Sequence, residues 1–270
     1  MKKIIGRRKS KPIQNFPDKV FFAVFFILLI GFGFNRDMNA QLTAKGVVRW
    51  ADDKFTGEET SIMNMTMKIV RPDWERTVSF KMWVKGRDYA LTLVTAPPKE
   101  AGQTFLKREN EMWNWNPRIS RMIKLPPSMM SQGWMGSDYT NDDVLKEASI
   151  VKDYHHEFVG KETVNGYECH KIRLEPKEEA AVVWGRIMMW ISREGYYQMK
   201  AQYYDEDNYL IRTMEGSEIE MVDDRKIPTR TVIIPADEPG NKTIVKINDA
   251  SFNEPIPDGF FSQQNMKRVR

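Results

Sequence analysis

Residues 111–147 read EMWNWNPRISRMIKLPPSMMSQGWMGSDYTNDDVLKE, and the rest of the chain is organised around this stretch. The first six residues predict a strand with Met112 on one face and Trp113 and Trp115 on the other. Pro117 has no N–H to donate to a β-ladder and therefore ends the strand.

The connection that follows this strand is rich in large apolar side chains, which is unusual for a surface loop. Its apolar residues are Met129, Met130, Trp134 and Met135. Because methionine adapts to ligands of varied shape, one interpretation is a mobile lid over an apolar cavity. The alternative is that the connection plugs the end of the protein's own core, and the sequence leaves both open. Residues 137–143 are polar and predict the N-cap of a helix that continues through residues 144–145.

The net charge of the chain is concentrated at its N-terminus. Residues 1–40 hold eight of the 41 Lys/Arg and two of the 37 Asp/Glu, which accounts for the formal charge of +4. Residues 41–270 therefore carry 33 basic and 35 acidic side chains and are close to neutral. Nucleic-acid binders show a basic patch or stripe, so the composition argues against a nucleic acid as a partner.

The N-terminus has the pattern of an export leader. Basic residues precede an apolar run over residues 20–34, which is shorter than the roughly 20 residues that span a bilayer. This pattern predicts a signal peptide over residues 1–40, cleaved between Ala40 and Gln41, and one domain over residues 41–270. An uncleaved leader that anchors the domain to the inner membrane is the alternative. In both cases the domain is expected in the periplasm.

The remainder of the chain alternates apolar and polar residues in short runs separated by turn residues. Residues 42–55 predict a helix with Leu42, Val47, Val48, Ala51 and Phe55 on one face, and residues 177–184 a second, short helix. Twelve strands are predicted, at 63–69, 78–84, 89–93, 104–108, 111–116, 154–159, 167–174, 186–192, 198–204, 209–221, 227–234 and 242–248. The predicted fold is mainly β with a few helices: a single curved antiparallel sheet that forms an open, incomplete β-barrel with a lid of helix and loop.

Methionine and aromatic residues dominate the predicted inner face of this sheet. The predicted ligand-binding residues of the cavity and lid are Met65, Met67, Phe80, Met82, Leu91, Leu93, Trp113, Trp115, Met129, Met130, Trp134 and Met135. Such walls suit ligands of variable shape, although methionine also fills gaps in ordinary cores. Arg118 and Arg121 are placed at the mouth, where they would bind an anionic head group or pair with Asp138 or Asp142.

No motif in the sequence predicts catalysis or metal binding. Adjacent strand residues point to opposite faces, so His155 and His156 cannot bind one metal ion together. For the same reason Cys169 and His170 do not form a nucleophile and base pair. The single cysteine excludes an internal disulfide. We therefore expect neither an enzyme nor a cofactor.

Several short motifs occur in a fixed order along the chain. They are residues 112–117 (MWNWNP), Arg118, Arg121, and residues 136–143 (GSDYTNDD), 85–88 (KGRD), 227–230 (IPTR) and 256–261 (IPDGFF). Together they resemble the bacterial outer-membrane lipoprotein-sorting protein family, the LolA/LolB-like periplasmic lipoprotein carriers, over residues 42–265.

This resemblance implies an open antiparallel β-barrel whose apolar face is covered by helices. It further implies a monomeric carrier of lipid or lipoprotein acyl chains, with an inner-membrane exporter of the resistance-nodulation-division type as its partner. The alternative is an envelope interaction or sensor module, or an exporter accessory subunit, that uses the same fold without carrying lipid.

Overall fold

The fold is described by a computed structural model for residues 42–56, 59–109, 111–141, 150–180 and 182–270. The predicted leader over residues 1–40 and the predicted helix after residue 141 lie outside the described residues. Within the described ranges, no helix has the length and apolar character needed to cross a membrane.

The described strands all join one antiparallel sheet. Their bounds are β1 Thr60–Arg71, β2 Trp74–Lys85, β3 Tyr89–Ala96, β4 Thr104–Arg108, β5 Glu111–Asn116, β6 Arg121–Lys124, β7 Tyr154–Val164, β8 Tyr167–Pro176, β9 Arg186–Ser192, β10 Gln198–Tyr204, β11 Leu210–Val222, β12 Arg225–Pro235 and β13 Lys242–Phe252. The order across the sheet is β6-β5-β4-β3-β2-β1-β13-β12-β11-β10-β9-β8-β7. Because β6 and β7 are its two edges, the sheet is not closed, and the predicted open fold is confirmed.

One strand was missing from the prediction and one predicted helix is wrong. β6 has only four residues, too few for a period-two pattern to be recognised. In the second case, residues 177–180 and 182–184 are not helical. The Lys177 amide donates instead to the Asp153 carbonyl at 2.9 Å, which ties the segment to the start of β7. A tertiary hydrogen bond thus overrides local helix propensity.

Helix α1 (Ala44–Thr56) covers one half of the sheet. Its first turn is capped by the Thr43 hydroxyl, which accepts a hydrogen bond from the Gly46 amide at 3.0 Å. Val47, Val48 and Ala51 are buried against strands β7 to β10 as the helical spacing predicts. Two predicted members of this face fall elsewhere: Leu42 precedes the helix and is exposed, and the side chain of Phe55 lies outside the described residues.

We call the face of the sheet beneath α1 and residues 125–141 the inner face, and the opposite face the outer face. The outer face of strands β2 to β4 is also buried, because the C-terminal segment that ends in helix α2 (Gln263–Met266) packs on it. Phe261 and Met266 of this segment contact Leu91 and Leu106 of the sheet in one cluster. Both faces of this half of the sheet are therefore apolar.

Candidate functional site

A cavity of about 130 Å³ lies on the inner face of the sheet. We call it the methionine cavity. Its wall includes five of the predicted residues: Met65, Met67, Phe80, Met82 and Trp134. It also includes apolar residues that were not predicted as ligand-binding: Phe105, Met112, Met214, Ile233 and Val245. These come from five different elements, so no single stretch of sequence reveals them as a group.

The strand register explains why the predicted methionines converge. On β1 and β2, Met65 lies opposite Phe80, and Met63 lies opposite Met82. On the other side of β1, Met67 lies opposite Val245 of β13. Directly opposed residues of an antiparallel pair share a face. The apolar face that alternation defines on β1 therefore continues onto β2 and β13.

Four predicted cavity residues lie on the outer face, and their assignment to the cavity was wrong. They are Leu91, Leu93, Trp113 and Trp115, and all pack in the cluster beneath the C-terminal segment. The register places Thr92 opposite Met82, so the even-numbered residues of β3 face inward. The apolar residues of β3 were assigned to the inner face because the sequence of the strand does not show that its outer face is buried as well.

Residues 125–141, which we call the covering segment, lie over the methionine cavity. Trp134 is only 7% exposed, and its ring lies 5.5 Å from those of Phe80 and Phe105 in edge-to-face geometry. Met130 and Met135 are partly buried against the same cluster, whereas Met129 is exposed. Met129 and Met135 line a separate cavity, of about 340 Å³, between the covering segment and β4 to β6. The covering segment is thus partly packed into the core and partly exposed.

An ion pair holds the covering segment to the sheet. Arg71 of β1 donates two hydrogen bonds to the Asp138 carboxylate, at 2.9 and 3.2 Å. Thr243 of β13 donates its hydroxyl to the same carboxylate at 2.6 Å and accepts the Asp138 amide at 3.0 Å. Arg76 of β2 donates to the Met135 carbonyl at 2.9 Å. We call this set of contacts the Asp138 clamp.

The backbone near Asp138 depends on two glycines and on the hydroxyl of Ser137. A Cβ on Gly133 would lie 2.3 Å from the Ser137 carbonyl oxygen, and Gly136 has a φ of +78°. The Ser137 hydroxyl donates to the Trp134 carbonyl at 2.8 Å and accepts the Tyr139 amide at 3.2 Å. The Gly-Ser-Asp motif that carried the family resemblance therefore builds the clamp.

Arg118 and Arg121 lie on the turn between β5 and β6 and at the start of β6, and both are exposed. Arg118 donates to the Lys99 carbonyl at 3.1 Å. The expected pairing with Asp138 is wrong, because Arg71 occupies that carboxylate. Asp142 lies outside the described residues.

A second cavity, of about 140 Å³, lies between α1 and strands β9 to β12. We call it the tyrosine cavity. Five tyrosines line it together with charged and other polar residues: Tyr139, Tyr154, Tyr196, Tyr197, Tyr203, Asp52, Lys54, Gln198 and Arg212. The Arg212 guanidinium lies over the rings of Tyr203 and Trp184, at 4.5 and 4.7 Å, and donates to the Asp138 carbonyl at 3.2 Å. No sequence signal marked this cavity, since its tyrosines come from separate elements.

One carboxylate of the tyrosine cavity has a strongly altered proton affinity. Burial raises the pKa of Asp52 from 3.8 to about 6, against the opposing effect of the Arg87 guanidinium with which it pairs. The folded protein therefore binds more protons than the unfolded chain between about pH 4 and pH 6. The stability contributed by this group is present below about pH 4 and is lost as the pH rises through 6.

The Asp52→Asn variant tests this effect. The unfolding free energy of the wild type relative to the variant should fall by on the order of 2–3 kcal/mol between pH 4 and pH 7.5. Urea denaturation at both pH values measures it, with Asp73→Asn, at an exposed position away from Arg87, as the control. If the difference in unfolding free energy between wild type and control falls with pH as much as the difference between wild type and Asp52→Asn, the assignment is contradicted.

Cys169 and two of the three histidines, His156 and His170, are partly or fully buried in the sheet, whereas His155 is exposed. His156 contacts the Ile150 carbonyl at 2.8 Å, and burial lowers the pKa of its imidazole. Cys169 is buried, and burial raises the pKa of its thiol, which disfavours the reactive thiolate. Among the described residues, no group of three or more His, Cys, Asp or Glu could hold a metal ion.

Solved structures of other proteins share this architecture. A DUF1329 family protein from Desulfovibrio piger superposes with a TM-score of 0.73 at 22% identity, covering 83% of this chain and 98% of that one. A LolA superfamily protein from Nitrosomonas europaea gives 0.71 at 21% identity, covering 83% and 99%. A domain assigned to outer-membrane lipoprotein sorting in Vibrio parahaemolyticus gives 0.69 at 18% identity, covering 83% and 98%. The fold is that of the LolA-like outer-membrane lipoprotein-sorting domains.

The sequence itself also matches a family model, whose description reads "Uncharacterized protein", over residues 86–268, about two thirds of the chain. The chain belongs to this family, and its LolA-like fold confirms the resemblance drawn from its motifs. A search of curated proteins found no match.

Proposed function

We propose that this protein is a non-enzymatic periplasmic carrier that holds an acyl chain of a lipid or lipoprotein in the methionine cavity. The observation that carries the proposal is the apolar cavity that lies between the sheet and Trp134. Five methionines and four aromatic side chains line its wall, and methionine side chains can adjust to a flexible chain. The LolA-like fold supports the same conclusion.

The size of the cavity limits what it holds without rearrangement. An apolar cavity of about 150 Å³ accommodates a molecule such as benzene. The methionine cavity, at about 130 Å³, therefore takes only a short part of an acyl chain. A longer chain must extend into neighbouring space or displace part of the covering segment.

The proposed location and partner follow from the leader and the family resemblance. The export pattern of residues 1–40 supports a periplasmic domain, whether released or tethered to the inner membrane. In this setting a monomeric carrier would receive or deliver its cargo together with an inner-membrane exporter of the resistance-nodulation-division type.

A second candidate function is an interaction module that binds an envelope protein without carrying lipid. The exposed side chains of Ile119 and Ile123, at the β5–β6 turn and on edge strand β6, favour this alternative. Extraction of protein produced from the full chain, followed by mass spectrometry, separates the two. Co-purified lipid supports the carrier, whereas protein without lipid that also binds no acyl probe favours the interaction module.

Filling the methionine cavity should block acyl binding. Thr92 lines this cavity on β3, whereas Thr95 of the same strand is exposed. We expect Thr92→Phe to weaken binding of a fluorescent acyl probe about tenfold or more, because the added ring occupies the space of several methylenes. Thr95→Phe is the matched control and should bind like the wild type.

Fluorescence titration and the melting temperature are measured on the same preparations, so that loss of binding is not confused with unfolding. Unchanged affinity in a folded Thr92→Phe protein would place the probe elsewhere and count against the proposed site.

A further inference from the structure

The methionine cavity and the tyrosine cavity are neighbours on the inner face. Tyr139, Met214 and Thr231 line both of them. The two cavities therefore adjoin at these three side chains, on the same face of the sheet.

The two cavities differ in the chemistry of their walls. The methionine cavity is mostly apolar, with Lys107 as its charged residue. The tyrosine cavity offers phenol hydroxyls together with Lys54, Arg212 and Asp52. A hydrocarbon chain makes no hydrogen bonds, so it can leave water for the methionine cavity without losing any. A charged group needs the hydrogen-bonding partners that the tyrosine cavity offers.

The charged side chains of the tyrosine cavity differ in the partners that they contact. Asp52 pairs with Arg87, and Arg212 is held by aromatic rings and the Asp138 carbonyl. Lys54, in contrast, has no carboxylate within salt-bridge distance among the described residues, and its ammonium lies 5.4 Å from the centre of the Tyr197 ring. Burial, followed by the nearby Arg225, lowers the pKa of Lys54. A bound anion would offset the cost of keeping this cation partly out of water.

We infer that the ligand is a single-chain amphiphile with an anionic head group, which Lys54 binds in the tyrosine cavity while the chain lies in the methionine cavity. This inference rests on the proposed carrier function and deepens it by naming the ligand class. A carboxylate and a phosphate monoester present the same recognition chemistry to a lysine. Fatty acids and lysophospholipid-like molecules thus belong to the class.

Competition for a neutral fluorescent probe, N-phenyl-1-naphthylamine, tests the inference on protein produced from the full chain. The competitors share a twelve-carbon chain: dodecanoate and dodecyl phosphate are anionic at pH 8, and methyl dodecanoate is neutral. The wild type should bind both anions about tenfold more tightly than the ester, because a hydrogen bond to a charged group is worth about that much. Lys54→Met should abolish this preference by weakening the binding of both anions to about the level of the ester.

Two variants control for structural effects. Lys54→Arg keeps the charge and should keep the preference for anions. Lys45→Met makes the same change at an exposed position of α1 and should behave like the wild type.

The outcomes separate the inference from the proposed function. Equal binding of acid and ester by the wild type, or a preference that survives in Lys54→Met, overturns the head-group inference and leaves the carrier proposal intact. If dodecanoate alone is preferred, the site is a carboxylate site and the phosphate part of the class is overturned. If the wild type binds neither the probe nor any competitor, the carrier proposal itself fails.

Discussion

Replacing Asp138 by asparagine should destabilise the protein by about 3–5 kcal/mol, the usual cost of removing one partner of a buried ion pair. The Asp138 and Arg71 side chains are only 6% and 14% exposed, so water replaces either partner poorly. The variant leaves the Arg71 guanidinium without its counter-charge and weakens the bond from the Thr243 hydroxyl. Urea denaturation measures the loss.

The exposed Asp73, on the turn between β1 and β2, supplies the matched control. Asp73→Asn should change stability by no more than about 0.5 kcal/mol. A double-mutant cycle with Arg71→Met should show strong non-additivity, since both changes remove the same interaction. Because the clamp holds a segment, its loss can also appear as local opening, which a red shift of tryptophan fluorescence at low urea would report. An Asp138→Asn protein with unchanged stability and unchanged fluorescence would show that the clamp does not hold the segment.

Replacing Trp134 by alanine should destabilise the protein by about 3–5 kcal/mol, as for other buried large-to-small changes. The indole packs against both Phe80 and Phe105, and its removal leaves a void between the covering segment and the sheet. Phe80, at 4% exposure, belongs to the same cluster, so Phe80→Ala should cost a similar amount. A lid that is only loosely packed would instead lose much less stability from Trp134→Ala than from Phe80→Ala.

Trp50, which is 45% exposed on α1, serves as the control for loss of an indole. Trp50→Ala removes one ring contact with Tyr196 and should cost about 1 kcal/mol or less. Acyl-probe affinity is measured alongside the urea midpoint for all three alanine variants. A Trp134→Ala protein as stable as the wild type would contradict the assignment of this residue to the core.

The sequence by itself predicted much of the local structure. Period-two alternation located twelve of the thirteen described strands, because half-buried antiparallel strands carry that period in their own residues. The helical spacing of Val47, Val48 and Ala51 likewise located α1. The Gly-Ser-Asp motif indicated the family, since its glycine and serine meet local backbone requirements that few other residues can meet.

The tertiary structure alone decided which side of each strand faces the cavity. Alternation gives the period of a strand but not the direction of its apolar face, and here the C-terminal segment also buries the outer face. Leu91 and Trp113 therefore carried the same signal as true cavity residues. The partner of Asp138 was undetermined for a similar reason: Arg71 lies 67 residues earlier in the chain, and several arginines are nearer in sequence. Ion-pair choice and cavity lining depend on which distant segments the sheet brings together, and that information is spread over the whole chain.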